Sequence, residues 1–300
     1  MDTIAIKSIS QLHEIMGFPK PKHPLISIID ASELVILEEQ LGVKVSNDFY
    51  MISLKDRNCG AEYGKNSFDF DEGVLVFTGP KQTKTFHEPI AKGDIEGWML
   101  YFHPDLIRGT GLGSTIDEYS FFDYEVFEAL HLSDEEEKVI EDCVAKIKSE
   151  YEQRIDNHSQ RVIVSNLELL LNYCLRFYER QFNTRKVQNS GVVAEFEKEL
   201  KRYFKEEIHL QSGIPSADYF AEKANLSLHY FSDLVKKETS RTPKDQINEY
   251  VIEKAKDKLL GTNNAVSEIA YELGFNYPHY FNRVFKSKTG KTPMEYRNMN

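Results

Sequence analysis

Residues Gly274 to Arg297 read G-F-N-Y-P-H-Y-F-N-R-V-F-K-S-K-T-G-K-T-P-M-E-Y-R, and much of this string occurs a second time upstream. The earlier copy, Phe220 to Pro243, reads F-A-E-K-A-N-L-S-L-H-Y-F-S-D-L-V-K-K-E-T-S-R-T-P; the later one occupies Ile269 to Pro293. His229-Tyr230-Phe231, Thr239, Thr242 and Pro243 are answered at a spacing of 50 by His279-Tyr280-Phe281, Thr289, Thr292 and Pro293. Ahead of that point the spacing is 49, so the second copy has one extra residue in its turn. Two copies are too few for a solenoid and indicate one supersecondary unit used twice.

Each copy opens with a short apolar helix, Tyr219–Ala224 and Val266–Leu273, which then breaks. Gly274 is free to take the left-handed conformation that ends a helix, and Asn225, the next most tolerant residue type, stands in the first copy. A second helix starts behind an expected N-cap, Ser227 in one copy and Asn276 in the other, with Pro278 tolerated in the first turn. Helix, tight turn and helix make a helix-turn-helix.

In the later second helix Phe281, Val284 and Phe285 fall on one face, while Pro278, His279, Asn282, Arg283 and Lys286 fall on the other. Arg forks to guanine and Asn to adenine, so such a face suits base readout in a major groove. The earlier copy presents His229, Ser232, Asp233 and Lys236, where Asp233 repels phosphate but can accept from cytosine. A single copy reads equally well as an ordinary amphipathic helix pair with a solvated polar face. Duplication, with T-x-x-T-P closing each copy, argues against that reading.

The string from Gly274 to Arg297 resembles the signature of AraC/XylS-type transcription regulators, and the resemblance extends back to about Phe196. It implies two helix-turn-helix units joined by a long helix and entering successive major grooves of double-stranded DNA. Carried over by motif position, His229, Ser232, Asp233, Pro278, His279, Asn282 and Arg283 would contact bases. Lys236, Lys237, Lys286, Lys288 and Lys291 would meet phosphates. The family's connecting helix often has an Arg two residues before the Glu of its E-K-A motif; here that position is Val251.

The charge balance has to be read by region. The 300 residues carry a net charge of −11, which argues at first against nucleic acid. Residues 191–300 hold 17 Lys and Arg against 16 Asp and Glu, leaving 20 against 32 for residues 1–190. This asymmetry suggests an acidic module attached to a DNA reader whose basic residues act locally. There is no run of 18 apolar residues and no basic-then-apolar leader, so the expectation is a cytoplasmic protein without a membrane partner. Cys59, Cys143 and Cys174 form no CxxC and read as reduced thiols, Cys174 as a small buried hydrophobe.

Pro19–Pro24, P-K-P-K-H-P, is an extended connector after an amphipathic piece, Ile9–Met16. From Leu25 to His103 the pattern turns to β, with expected strands at Ile26–Ile29, Glu33–Leu37, Phe49–Leu54, Val74–Phe77 and Gly97–Phe102. Phe68 to Gln82 resembles a hairpin of the cupin-like barrel that AraC-type regulators often carry. His87 and His103 are isolated and lack the H-x-H pair and nearby Glu of metal-binding cupins, so no metal or other cofactor is expected. Tyr50, Phe70, Phe77 and Trp98 are candidates for an uncharged or sugar-like effector pocket, with plain core as the alternative. Asp117–Glu128 reads as an aromatic loop packed on the barrel.

Ser133 begins S-D-E-E, a capping box opening a helix to about Arg154. A second helix runs from Ser159 to about Phe182 with a broad stripe of Val162, Ile163, Leu167, Leu170, Leu171, Cys174, Leu175 and Tyr178. One partner helix would hardly cover that stripe, which points to a dimer interface or to packing on the barrel. Asn183–Gly191 reads as a polar linker. Pro243 starts a connecting helix with Ile247, Val251, Ala255 and Leu259 at i+4 steps.

The expected architecture is therefore α+β: a cupin-like sensing barrel (1–130), an αα-hairpin (131–182) dimerising through 134–182, a linker (183–191) and an all-α double helix-turn-helix domain (192–300). The expected function is a sequence-specific transcription regulator, an activator that also meets RNA polymerase and answers a small-molecule effector. The alternatives are a barrel enzyme fused to a DNA-binding tail, or a regulator controlled by a protein partner with no effector. Neither a nucleophile with a base nor a readable carboxylate pair is present, so an enzyme is not expected.

Overall fold

The chain divides between Arg185 and Lys186 into two units, seen in a computed structural model that describes residues 3–55 and 73–298. Phe70 and Cys59 lie outside the described residues.

The first unit begins with β1 (Ile4–Ile6) and α1 (Ile9–Ile15), the helix capped by Ser8. The strands β2 (Ile26–Asp30), β3 (Lys44–Asn47), β4 (Tyr50–Lys55), β5 (Gly73–Thr78), β6 (Thr83–Thr85) and β7 (Gly97–Phe102) follow. Two short helices, α2 (Pro104–Ile107) and α3 (Gly111–Thr115), and the strand β8 (Leu130–Leu132) precede α4 (Asp134–Tyr151) and α5 (Ser159–Thr184). The strands form a five-stranded antiparallel sheet in the order β2-β7-β4-β5-β8 and a three-stranded sheet in the order β1-β3-β6. The larger sheet is covered on both faces. One side packs Ile29, Met51, Met99 and Tyr101 against Ile6, Ile9, Leu12 and Phe49, with Val45 and Phe86 at the margin. On the other, Phe77 meets Phe121 at 4.4 Å and Tyr178 of α5 at 6.0 Å between ring centroids.

Four of the five expected strands form. Glu33–Leu37 does not: the Asp30 carboxylate accepts from the Ser32 amide at 2.9 Å and bends the chain into a 3₁₀ turn, leaving one bridge, Ile36 to Ile90. Asp117–Glu128 is not an irregular loop but three 3₁₀ turns that bury Phe121 and Phe122. The Ser133 capping box forms, with the Ser133 amide donating to Glu136 at 3.1 Å and the Glu136 amide to Ser133 Oγ at 3.3 Å.

The broad stripe of α5 is largely consumed within the unit. Ile163, Leu167, Leu170, Leu171, Cys174 and Tyr178 are buried, and only Val162 and Leu175 of the eight stripe residues stay exposed. The helix also finishes the sheet: Gln181 accepts from the His131 amide at 2.8 Å and donates to the Ala129 carbonyl at 3.0 Å. The edge groups of β8 thus gain side-chain partners. Cys143 and Cys174 are buried free thiols, and burial pushes both up in pKa.

The expected linker is helical. α5 runs to Thr184 and α6 (Lys186–Lys205) starts after a single capping residue, Arg185. Polar composition misled here because Lys, Arg and Gln are good helix formers, and Asn189 is buried.

The second unit continues with α7 (Ile208–Ser212), α8 (Ala217–Lys223), α9 (Leu228–Thr239), α10 (Pro243–Gly261), α11 (Val266–Glu272), α12 (Pro278–Thr289) and α13 (Pro293–Arg297). Phe196 of α6 packs on Phe220 at 4.9 Å and on Phe231 at 5.5 Å, forming the core of the first repeat. Phe275, Phe281, Phe285 and Tyr296 do the same for the second, with successive centroid distances of 5.1, 5.6 and 5.4 Å. Ile247, Val251, Ala255 and Leu259 of α10 are all buried, as their i+4 spacing predicts. Among the described residues no helix is long and apolar enough to cross a membrane.

Candidate nucleic-acid interface

The two repeats are turned and closed in the same way. Asn225 and Gly274 both take positive φ, 53° and 86°, to turn the chain between the helices. At Gly274 glycine is needed twice over, since a Cβ there would stand 2.8 Å from the His209 carbonyl oxygen of α7. At the far ends of the second helices Ser240 and Gly290 are left-handed caps whose amides reach back to Lys236 and Lys286 carbonyls. Thr239 Oγ1 lies 2.7 Å from the Val235 carbonyl, and Thr289 Oγ1 lies 2.8 Å from that of Phe285. Thr242 and Thr292 then cap the following helices, accepting from Asp245 and Glu295 amides at 3.1 and 3.2 Å, each ahead of a Pro at the first helical position. The T-x-x-T-P signature is thus a device for closing one helix and opening the next.

One local expectation is corrected. Ser227 caps α9, its Oγ accepting from the Tyr230 amide at 3.1 Å, but Asn276 does not cap α12. The extra residue moves that start to Tyr277, which makes no side-chain cap bond, and Pro278 takes the first helical position. Pro fixes φ without needing a capped amide.

The outward face of α12 is open. His279, Asn282, Arg283 and Lys286 are exposed and Pro278 is partly so. The Arg283 guanidinium lies over the Tyr280 ring, 5.1 Å from its centroid, which narrows its rotamers while leaving its donors outward. Tyr277 is 63% exposed and its ring lies tilted beside that of His279, 5.5 Å between centroids, an aromatic contribution that polar positions alone do not reveal. On α9, His229, Lys236 and Lys237 are exposed, whereas Ser232 and Asp233 are partly buried. The second reading face therefore offers more free surface than the first.

Of the phosphate candidates, Lys286 stands exposed with Lys236 and Lys237, and Lys291 is partly buried. Lys288 donates to Asp245 at 2.6 Å, tying the end of α12 to the start of α10. That contact, followed by the Thr242 hydroxyl, holds the Asp245 carboxyl below its ordinary value. Two further ties fix the second repeat to the connecting helix. Glu272 of α11 accepts from Lys258 and Asn264, and Arg297 of α13 donates to the carbonyls of Leu259 at 3.1 Å and Asn264 at 2.7 Å. Val251, where the family resemblance leads one to expect Arg, is wholly buried, so that position belongs to the core of α10.

Of the candidate effector residues, the three described ones do not face the smaller sheet. Register puts Tyr50, Phe77 and Trp98 on the helix-covered face of the larger sheet, because Tyr50 pairs with Phe102, Ile52 with Phe77 and Leu54 with Trp98. Tyr50 stacks on Phe102 at 4.8 Å and meets Phe122 at 4.7 Å. Both Tyr50 and Phe77 are thus packing residues. The opposite face carries Met51, Ser53, Val76, Thr78, Met99 and Tyr101, of which Met51, Met99 and Tyr101 belong to the inter-sheet core.

Residues 220–299 match the helix-turn-helix domain family. An uncharacterised HTH-type transcriptional regulator from Pseudoalteromonas carrageenovora is 39% identical over 80 residues, 27% of this chain and 47% of the relative. The HTH-type transcriptional activator RhaS of an Enterobacter species is 26% identical over 155 residues, 51% of this chain and 53% of its own. Among solved structures, the C-terminal domain of AraT, a response regulator from Geobacillus stearothermophilus, is 27% identical, covering 36% of this chain and 85% of that one at a TM-score of 0.33. The chain spans about half the length of these curated relatives. Residues 220–299, within the C-terminal unit, are a helix-turn-helix domain.

Proposed function

We propose that this chain is a sequence-specific, DNA-binding transcription regulator of the AraC type whose first unit, cupin-like in kind, senses an effector. The observation that carries the reading is the doubled reading head: two helix-turn-helix repeats, closed by the same Thr and cap contacts, joined by one 19-residue helix. At 1.5 Å per residue α10 is about 28 Å long, near the roughly 34 Å of one duplex turn. That length suits α9 and α12 to successive major grooves on one side of the DNA. In this reading Pro278, His279, Asn282 and Arg283 contact bases, joined by His229, Ser232 and Asp233. Lys236, Lys237, Lys286 and Lys291 neutralise phosphates, while Lys288 serves the Asp245 tie.

Activation through RNA polymerase is the direction suggested by the relative named as an activator. A homodimer through residues 134–182 would use the exposed remainder of α5, Val162, Leu169 and Leu175, a thin apolar edge. The site of action is the cytoplasm.

The test separates specificity from affinity. Arg283→Ala should relax preference at one or two base pairs, costing roughly 1–3 kcal/mol on the selected site and little on random DNA. Lys286→Ala should weaken all sequences alike and lower the salt slope by about one. Binding-site selection followed by titration at several salt concentrations reads both, and equal losses for both variants on specific and random DNA would overturn the proposal.

A further inference from the structure

The space between the two sheets of the first unit collects polar groups that the protein does not satisfy. Ser53 and Thr78 are 1% and 3% exposed, and neither hydroxyl has a hydrogen-bond partner among the described residues. Lys84 enters the same interior from the smaller sheet. It pairs in register with Val45, which packs on the inter-sheet core, and among the described residues its ammonium meets only the Met51 thioether, at 3.4 Å. Among the described residues the Tyr101 hydroxyl likewise meets only a thioether, Met99 Sδ at 3.4 Å. A thioether is a weak acceptor, unable to replace water around an ammonium or a phenol.

These groups converge. Met51 of β4 stands opposite Thr78 of β5 and opposite Tyr101 of β7, and Lys84 covers it. Ser53 lies two residues along β4 on the same face, opposite Met99. An unpaired buried hydroxyl costs stability, and an ammonium without an oxygen partner costs more the further it leaves water; Lys84 is partly buried. Accumulating both around one methionine is what a binding site tolerates and a plain core does not. Burial, then the charge of Lys55, pushes the Lys84 amine down to about 7. His13 and Ser27 nearby satisfy each other at 2.8 Å and are not part of the group.

We infer that the Met51 neighbourhood, bounded by Ser53, Thr78, Lys84 and Tyr101, is the site of a small organic carboxylate, with Lys84 as counter-ion and the hydroxyls as orienting donors. The ring of Phe49 and the side chains of Ile29 and Leu34, in the same core cluster, suit an apolar body on that carboxylate. This rests on reading the first unit as the sensor, and it replaces the uncharged ligand and the aromatic lining that the sequence suggested.

The test uses the full chain. Propionate, hexanoate and benzoate, each beside its alcohol, are titrated while the melt of the first unit is followed through Trp98. The carboxylates should raise the midpoint and the alcohols should not, by mass action on the folded state. Lys84→Met should melt higher than the parent without additive and lose the carboxylate effect by at least about tenfold in concentration. Lys84→Gln with Thr78→Val gives a second variant if the first folds poorly. Two results overturn the inference: alcohols matching the carboxylates, or no carboxylate effect that depends on Lys84. Gel shifts of the same variants on selected DNA read the second unit, so loss of DNA binding in the parent chain would strike the regulator reading and leave this site to be judged alone.

Discussion

Gly274→Ala is the sharpest test of how the second repeat is built. Two terms oppose the substitution. The left-handed backbone at φ 86° costs an alanine about 1–2 kcal/mol. The new Cβ would also stand 2.8 Å from the His209 carbonyl and 3.2 Å from Gly213 C, and forcing α7 away adds about 1–3 kcal/mol by analogy with overpacking. Gly290→Ala isolates the first term, because φ there is 78° and a Cβ would meet nothing within 4 Å. The expected losses are therefore about 2–5 kcal/mol for Gly274→Ala and about 1–2 for Gly290→Ala. The two losses differ by the overpacking term alone, so at roughly 4–8 °C per kcal/mol the two melts should differ by about 4–24 °C. The chain has one tryptophan, Trp98, in the first unit, so its fluorescence reports that unit while the helical signal at 222 nm also includes the second. Equal losses for the two alanines would refute the close approach of α7 to the turn.

Two further outcomes follow from capping and charge. Ser133→Ala removes an N-cap acceptor from the Glu136 amide and should cost about 1 kcal/mol, read in the Trp98 melt. A loss of a tenth of that would mean that α4 starts elsewhere. The Asp245 carboxyl is depressed by Lys288, so its contribution is present in full above its unfolded value of 3.8 and is lost as pH falls through the lower folded value. Both partners are more than a third exposed, and the pair is worth under about 1 kcal/mol. Lys288→Met should remove that increment at pH 7 and flatten the fall below pH 4; an unchanged acid profile would contradict the tie.

The second unit was legible because its information is local. Caps, left-handed turns and i, i+3, i+4 faces lie within a dozen residues of one another, and the repeat prints them twice. Asn276 failed only because a one-residue insertion moved the helix start past it. The first unit was less legible for two reasons. β1, β3, β6 and β8 are three or four residues long, too short for alternation to register, and they depend on distant partners. The larger sheet is also covered on both sides, so Met51 and Ile52 are both buried and hydropathy cannot say which faces the other sheet. Alternation along these strands therefore does not say which side of the sheet Tyr50, Phe77 and Trp98 face. The stripe on α5 is broad because it meets α4, the 3₁₀ turns and the sheet at once, and six of its eight residues are buried within the first unit.

Because the two heads share their internal contacts, their outer surfaces are interchangeable by position. His229, Ser232, Asp233 and Lys236 stand where His279, Asn282, Arg283 and Lys286 stand, at a constant interval of 50. The ends of the pattern, His and Lys, are already common to both; only the middle pair differs. The molecule thus holds one frame carrying two texts, and two substitutions, Ser232→Asn and Asp233→Arg, would write the second text onto the first frame while leaving every cap and core residue in place.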